Sequence, residues 1–165
     1  MQDFTRRAFI GAAVSLLVLP AEARGLISGR VDRIQVRKAQ RQLDLVGQGR
    51  VLKSYEIRLG ARPVGPKRFQ SDMRTPEGAY RIDRRNPRSA FHLSLGVSYP
   101  TPEDRAYAAS RGRAPGGEIF IHGQPNGHRG TIRRDWTRGC IAVSNADMDE
   151  IWRLVPVGCP IHIHA

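Results

Sequence analysis

The sequence contains Ile119-Phe120-Ile121-His122-Gly123 and, eighteen positions after the histidine, Thr137-Arg138-Gly139-Cys140-Ile141. Three consecutive apolar residues predict a strand that is buried on both faces and ends at His122. Cys140 lies between a glycine and a second apolar run. An imidazole can take the proton of a nearby thiol and stabilise the thiolate as an ion pair. The two side chains are therefore candidate catalytic residues.

Glycine and arginine dominate the segment between the two candidates, and such a loop can fold back to bring them together. Gly139 permits a tight turn whose backbone N–H groups point at one spot, which is how an oxyanion hole is built. Spacing alone supports a Cys/His pair only weakly, and zinc binding by Cys140, His122 and His128 is an alternative. Two further histidines, His162 and His164, are too few ligands for a zinc site of their own.

Outward from this stretch, short apolar segments alternate with glycine and proline. Gly47-Gln48-Gly49 predicts a hairpin whose return strand runs from Val51 to Leu59. Thr101-Pro102 predicts the start of one helix, and Ser144 caps a second that ends near Leu154. Many short strands with two modest helices predict a mainly β (β-rich α+β) domain, antiparallel or mixed.

The N-terminus has the pattern of an export signal. Thr5-Arg6-Arg7-Ala8-Phe9 matches the twin-arginine pattern, and an uncharged run from Ala8 to Ala21 follows. That run is too short to span a bilayer, which requires about 20 apolar residues. Ala21-Glu22-Ala23 supplies a cleavage signal. We therefore expect a signal peptide at 1–23, a lead-in at 24–30, one catalytic domain at 31–165, and a monomer in the periplasm with no stable membrane anchor after cleavage.

The charge of the chain favours an acidic partner. The formal net charge is +12, and of the 27 basic residues only Lys38, Lys53 and Lys67 are lysines. Arginine binds carboxylates through a planar fork of donors, so a basic surface suits an acidic polymer. The basic residues are scattered and no nucleic-acid-reading motif accompanies them, so we expect no nucleic-acid partner.

The two cysteines can be interpreted in two ways. In an oxidising compartment an even count allows a Cys140–Cys159 disulfide. Cys159, however, sits at the entry to the last apolar segment and has the surroundings of a small buried hydrophobe. We expect Cys140 to be the free, reactive thiol.

The segment around the Cys/His pair resembles the catalytic signature of the L,D-transpeptidase family, the YkuD-like domain. That signature is His-Gly after a strand, then a loop, then Ser/Thr-x-Gly-Cys and an apolar residue, and His122-Gly123 and Thr137–Ile141 match it. Thr75-Pro76-Glu77-Gly78-Ala79-Tyr80 resembles the second recurring motif of the family. The likeness covers about residues 30–164 and implies a β-sandwich-like core with two short helices.

The resemblance also implies a mechanism. Cys140 would attack the carbonyl of the third residue, a diamino acid, in a peptidoglycan tetrapeptide stem, and D-alanine would leave. An amine on a second stem would then take the acyl group to give a 3–3 cross-link that serves cell-wall organisation and cell shape. His122 would act as base and acid, with Gly123, Thr137, Arg138 and Gly139 around the oxyanion and substrate. Neither a cofactor nor a metal is implied.

Two positions depart from the pattern of the family. Many members carry His where this chain has Arg138, and Asn or Arg where it has Ala142. Arg138 either contacts a substrate carboxylate or is a solvated loop residue. With water as acceptor the same chemistry is that of an L,D-carboxypeptidase or amidohydrolase. A non-catalytic murein-binding envelope domain is a further alternative.

Overall fold

The computed structural model describes residues 29–165, so the predicted signal peptide at 1–23 and most of the lead-in lie outside the described residues. The described chain forms eight strands and two helices. In chain order they are β1 (Arg33–Arg37), β2 (Gln42–Gly47), β3 (Arg50–Glu56), β4 (Gly78–Ser89), β5 (His92–Val97), α1 (Pro102–Ala109), β6 (Phe120–His122), β7 (Ile141–Ala142), α2 (Asn145–Leu154) and β8 (Pro160–His164). Within residues 29–165, neither helix is long and apolar enough to cross a bilayer.

The strands form one mixed sheet in the order β3-β2-β1-β8-β4-β5-β6-β7. The long strand β4 joins its two halves, because Gly78–Arg81 pair with β8 while Ile82 and later residues pair with β5. Just beyond β3, Arg58 and Ala142 exchange two backbone hydrogen bonds of 2.8 Å, which connect the two ends of the strand order. The sheet therefore curls back on itself, and the predicted mainly β fold with two short helices is confirmed.

One apolar cluster fills the space inside the curled sheet. It includes Ile34 and Val36 of β1, Leu43 and Leu45 of β2, Ile161 and Ile163 of β8, and Met148 and Ile151 of α2. Buried positions alternate with half-buried ones in β1 and with mostly exposed ones in β8, which places the apolar side chains on the inner face. Burial of each such side chain contributes roughly 1.5–3 kcal/mol to stability.

Both predicted helix starts are confirmed. Thr101 caps α1 through a reciprocal pair of hydrogen bonds with Asp104, and Pro102 is the first helical residue. Ser144 caps α2 by accepting from the backbone N–H of Asp147. Because α2 follows β7 after only two residues, its cap fixes the exit of the chain from the segment that contains Cys140.

The hairpin is also confirmed, but its return strand is shorter than predicted. Gln48 and Gly49 adopt positive φ angles of 51° and 76°, as a tight turn between twisted strands requires. Strand β3 ends at Glu56 rather than Leu59. The predicted strand was too long because the chain from Ile57 onward leaves β2 and pairs with the segment around Cys140.

Candidate active site

The parallel pairing of β6 and β7 brings the two predicted catalytic residues together. Ile121 pairs with Ile141 and His122 with Ala142, so Cys140 lies level with the start of β6 and two positions from the histidine on the neighbouring strand. Both side chains line one cavity of about 410 Å³. Its walls are Phe91, Gly117, Glu118, His122, Trp136, Thr137, Arg138 and Cys140.

The surroundings of His122 leave one ring nitrogen available as a base. Its Nδ1 lies 2.7 Å from the carbonyl oxygen of Gly123, and donation to that oxygen places the proton on Nδ1 and the lone pair on Nε2. The ring stacks on Phe91 and meets the edge of Trp136, with centroids 4.7 Å and 5.6 Å away. Burial lowers the pKa of His122 below 6.5, although the bond to Gly123 opposes that shift. The imidazole is therefore neutral at pH 7.

The surroundings of Cys140 also favour the neutral form of its side chain. Its Sγ donates to the carbonyl oxygen of Glu118 at 3.4 Å. Burial raises the pKa of Cys140 above 9.0, and the backbone of Phe120 and the charge of Lys67 only partly offset that effect. The pKa of Cys140 is raised and that of His122 is lowered, and both directions favour the neutral thiol and imidazole over an ion pair before substrate binds.

Thr137 holds the turn that presents Cys140. Its hydroxyl donates to the carbonyl oxygen of Cys140 at 2.7 Å and accepts from the N–H of Gly139 at 3.1 Å. Gly139 has a φ of 129°, and a Cβ there would lie 2.5 Å from the carbonyl oxygen of Arg74. Only glycine fits this turn. The N–H of Gly139, one of the groups expected to face an oxyanion, donates to Thr137 in this turn.

Two other predicted site residues occupy different environments. Arg138 is exposed and lies on the wall of the cavity, where its guanidinium is accessible to substrate. Gly123 is buried, and a Cβ there would lie 2.5 Å from Oδ1 of Asn145. Its small size is therefore explained by packing against the start of α2.

An ion pair anchors the loop that carries Trp136. Asp135 accepts from Arg41 through both carboxylate oxygens, with Nε–Oδ1 and Nη2–Oδ2 distances of 3.2 and 2.7 Å. The same carboxylate accepts from the N–H of Leu59 at 2.8 Å. Farther along the loop, Nε of Arg58 donates to the carbonyl oxygen of Arg133 at 2.6 Å. Neither arginine could be predicted as a site residue, because nothing in the local sequence relates Arg41 or Arg58 to a loop more than 70 residues away.

A buried lysine forms a second ion pair, in the loop that precedes the Thr75–Tyr80 motif. Lys67 is only 3% exposed, and its Nζ donates to Asp72 at 2.8 Å. Asp72 also accepts from the backbone N–H groups of Arg68, Phe69 and Arg74 at 2.7, 3.0 and 3.1 Å. Asp72 therefore orders the loop that leads into the Thr75–Tyr80 motif.

Replacing Asp72 with Asn is expected to lower the free energy of unfolding at pH 7 by about 1–3 kcal/mol, because a buried lysine loses its partner. Burial alone would raise the pKa of Asp72, but the bonds from Lys67 and the backbone outweigh it and hold the pKa below 3.8. The stabilisation is thus complete above the unfolded pKa and is lost as pH falls through the folded one. Urea unfolding at pH 7 and pH 3 measures both effects.

Asp83 supplies the matched control for this substitution. Among residues 29–165, its carboxylate pairs only with the adjacent, exposed Arg84. We expect Asp83→Asn to change the free energy of unfolding by no more than about 0.5 kcal/mol. Equal losses in the two variants, or a loss in Asp72→Asn that does not shrink at low pH, would contradict the role given to Asp72.

The remaining histidines are not brought into the cleft. His128 is exposed in the loop after β6, and His162 and His164 are exposed on β8. Across residues 29–165, no group of three His, Cys, Asp or Glu side chains is arranged to hold a metal ion. The zinc alternative that the sequence left open therefore lacks an assembled set of ligands in the described chain.

Comparison with known proteins supports the same family. A model of the YkuD family, the L,D-transpeptidase catalytic domain, matches residues 31–163. YafK of Escherichia coli (strain K12), whose name gives L,D-transpeptidase as a provisional assignment, is 29% identical over 152 residues, covering 88% of this chain and 56% of the relative. The chain thus spans little more than half the length of that relative.

Solved structures share the fold. The helical cell shape determining protein Pgp2 from Campylobacter jejuni has a TM-score of 0.64 at 25% identity, over 82% of this chain and 48% of that chain. An L,D-transpeptidase from Xylanimonas cellulosilytica DSM 15894 has a TM-score of 0.54 at 16% identity, over 83% of this chain and 62% of that chain. At that identity the second likeness concerns the fold alone.

Proposed function

We propose, because the chain belongs to the family of L,D-transpeptidase catalytic domains, that it is a cysteine acyltransferase acting on peptidoglycan stem peptides. One observation carries the proposal: the thiol of Cys140, which directly precedes β7, and the imidazole of His122 at the end of the parallel strand β6 line the same cavity of about 410 Å³, with Nδ1 of the imidazole bonded to Gly123. Nucleophilic catalysis by cysteine needs this combination of an acyl-accepting sulfur and a base within reach.

In the first half of the reaction, Sγ of Cys140 attacks the carbonyl carbon of the diamino acid at position three of a tetrapeptide stem. Nε2 of His122 takes the thiol proton as the C–S bond forms. The Gly139 N–H is bonded to Thr137, so we assign the developing oxyanion to the backbone N–H of Cys140. His122 then gives its proton to the amide nitrogen, the C–N bond breaks, and D-alanine leaves a thioester behind.

In the second half, an amine on a neighbouring stem attacks the thioester. His122 takes a proton from this amine and returns it to the departing sulfur, so the thiol is restored and a 3–3 cross-link has formed. These steps consume no cofactor or metal. If water replaces the amine, the product is a shortened stem, which is the action of an L,D-carboxypeptidase or amidohydrolase.

The proposal extends to the compartment in which the protein acts. Residues 1–23 would direct export through the twin-arginine route to the periplasm, where peptidoglycan is accessible. After cleavage the domain at 31–165 would act there as a monomer without a stable membrane anchor. Its basic composition suits stem peptides, which carry several carboxylates.

Incubation of the mature protein with a disaccharide-tetrapeptide, followed by mass spectrometry of the products, tests the proposal. Release of D-alanine with a dimeric product indicates transpeptidation, whereas release with a monomeric tripeptide indicates hydrolysis. Incubation with a carbapenem, whose β-lactam carbonyl can acylate the thiol, gives a second readout as an intact-mass adduct. Binding of muropeptides without turnover or adduct would contradict catalysis and favour the murein-binding alternative.

The protonation state of the pair gives a further prediction. Because the pKa of Cys140 is raised above 9.0 and that of His122 is lowered below 6.5, we expect no Cys140 thiolate at pH 7. The ultraviolet absorbance of the thiolate, measured as the difference between the parent and Cys140→Ala, should appear only as pH rises above about 9. A thiolate signal that persists below pH 7 would show a resting ion pair and contradict the neutral pair.

A further inference from the structure

A group of arginines stacked on aromatic rings forms a surface beside the catalytic cleft. The guanidinium carbons of Arg68 and Arg111 lie 4.5 and 3.8 Å from the ring centroid of Tyr107, and that of Arg113 lies 3.9 Å from the ring of Phe69. The two rings themselves are 6.0 Å apart. We name these five side chains the arginine platform.

The charges of the platform are oriented but not neutralised. Within residues 29–165, no carboxylate forms an ion pair with any of its three arginines. Of the nearby acids, Asp72 pairs with a buried lysine, Asp104 serves the cap of α1, and Glu103 is exposed in its first turn. Stacking holds a guanidinium plane in place while its in-plane N–H groups can still meet an anion. In Arg111, Nη1 donates to Oγ of Ser110 at 2.9 Å, which leaves the other N–H groups of that guanidinium for a ligand.

The platform lies near one wall of the cleft. The loop that contains Arg68 and Phe69 supplies one part, and the end of α1 with the turn after it supplies the other. The backbone N–H of Gln70 joins the two parts by donating to the carbonyl oxygen of Ala114 at 2.8 Å. Arg113 precedes Gly117, which lines the catalytic cavity, by four residues. Four residues reach at most about 14 Å, so an elongated ligand can occupy the cavity and the platform together.

We propose that the arginine platform binds the carboxylates of a stem peptide adjacent, on the same peptidoglycan polymer, to the stem in the cleft. This inference rests on the proposed function. Carboxylate is the group that a guanidinium edge binds through two parallel hydrogen bonds. Neighbouring stems carry carboxylates at regular intervals along one peptidoglycan strand. Binding of one stem at the platform therefore raises the effective concentration of its neighbour at the cleft. Uncharged sugar hydroxyls would not require three unneutralised cations.

Two charge-matched triple variants test the proposal. Arg68, Arg111 and Arg113 are changed to Gln in one, and Arg30, Arg50 and Arg85 in the other. The control removes the same charge and includes one stacked arginine, since Arg85 lies 4.0 Å from the ring of Trp152. Binding to purified sacculi is measured by sedimentation in a Cys140→Ala background, over a range of salt concentrations.

We expect the platform triple to bind sacculi about tenfold more weakly than the parent and with a shallower dependence on salt. The control triple should stay within about twofold of the parent. In the presence of Cys140, the ratio of sacculus turnover to single-stem turnover should fall about tenfold in the platform triple only. Glycan strands stripped of their stems, and amidated at the lactyl carboxyl groups that stripping exposes, should bind the parent and the platform triple equally weakly.

Several results would overturn the proposal. Equal loss of sacculus binding in both triples would show that net charge alone matters. Platform-dependent binding of stripped glycan strands, or of phosphatidylglycerol vesicles in place of sacculi, would assign the platform to a different ligand. Failure of the proposed acyltransferase function would give a different result from failure of the platform proposal. The parent would then turn over neither substrate, but its binding to sacculi could still be measured and the two triples could still be compared.

Discussion

Cys140→Ala is expected to lower turnover of a disaccharide-tetrapeptide by at least about 10⁴-fold and to abolish the covalent adduct with a carbapenem. The loss is this large because the sulfur forms the bond that carries the acyl group, and alanine offers no substitute. The N–H groups and cavity walls that remain provide only binding and polarisation. Steady-state release of D-alanine and intact-mass measurement give the two readouts.

The second cysteine provides the control. Cys159 is buried at 4% exposure, and its pKa is raised to about 11 by burial. It lies just before β8 and lines no part of the catalytic cavity. We expect Cys159→Ala to keep turnover within about twofold of the parent and to keep the mass adduct. An adduct that survives Cys140→Ala but disappears in Cys159→Ala would assign the nucleophile to the other thiol.

The parts of the fold that depend on local chemistry were predictable from the sequence. Thr101-Pro102 and Ser144 start the two helices, as side-chain capping requires, and Gly49 permits the positive φ of the hairpin. The segment at Ile119–His122 was predictable because three apolar residues in a row fit a strand covered on both faces. Each of these features depends on residues within one turn or one strand.

Features that depend on distant pairings were not predictable. The first and last strands run parallel in the middle of the sheet, with Ile34 opposite Ile161, and no local pattern relates residues so far apart. The ion pair of Arg41 and Asp135 depends on the closure of the curled sheet. The two ends of the strand order must meet before these two side chains can come into contact. An alignment of related sequences would have been needed to find either one.

The candidate site, like the fold, has some features that could be predicted from the sequence and others that could not. The identity of the nucleophile and base followed from residue type, order and the likeness to one family. The direction of the pKa shifts of Cys140 and His122 did not follow from the sequence. It depends on desolvation, and therefore on how Phe91 and Trp136 cover the imidazole and on how far the thiol is buried. Likewise, the Gly139 N–H could be assigned to Thr137 only when the turn had been located.

His122→Ala is expected to lower turnover at pH 7 by about 10²–10⁴-fold, the usual contribution of a general acid–base residue. The thiol of Cys140 is neutral at this pH because its pKa lies above 9.0, so without the imidazole little nucleophile forms. His122→Gln keeps most of the volume that Phe91 and Trp136 pack against, and it should lose turnover to a similar extent. Thermal unfolding of both variants separates a lost base from a collapsed site.

The pH profile distinguishes a base from a merely structural residue. In the parent, the rate should rise with pH through the lowered pKa of His122, below 6.5, and then stay level up to the thiol pKa. In His122→Ala the rate should instead climb with the thiolate fraction and partly recover above about pH 9, since hydroxide then removes the proton. His128→Ala, a substitution in the exposed loop, should keep the parental profile. A His122→Ala variant with a uniformly reduced but otherwise parental profile would show that His122 positions the thiol without taking its proton.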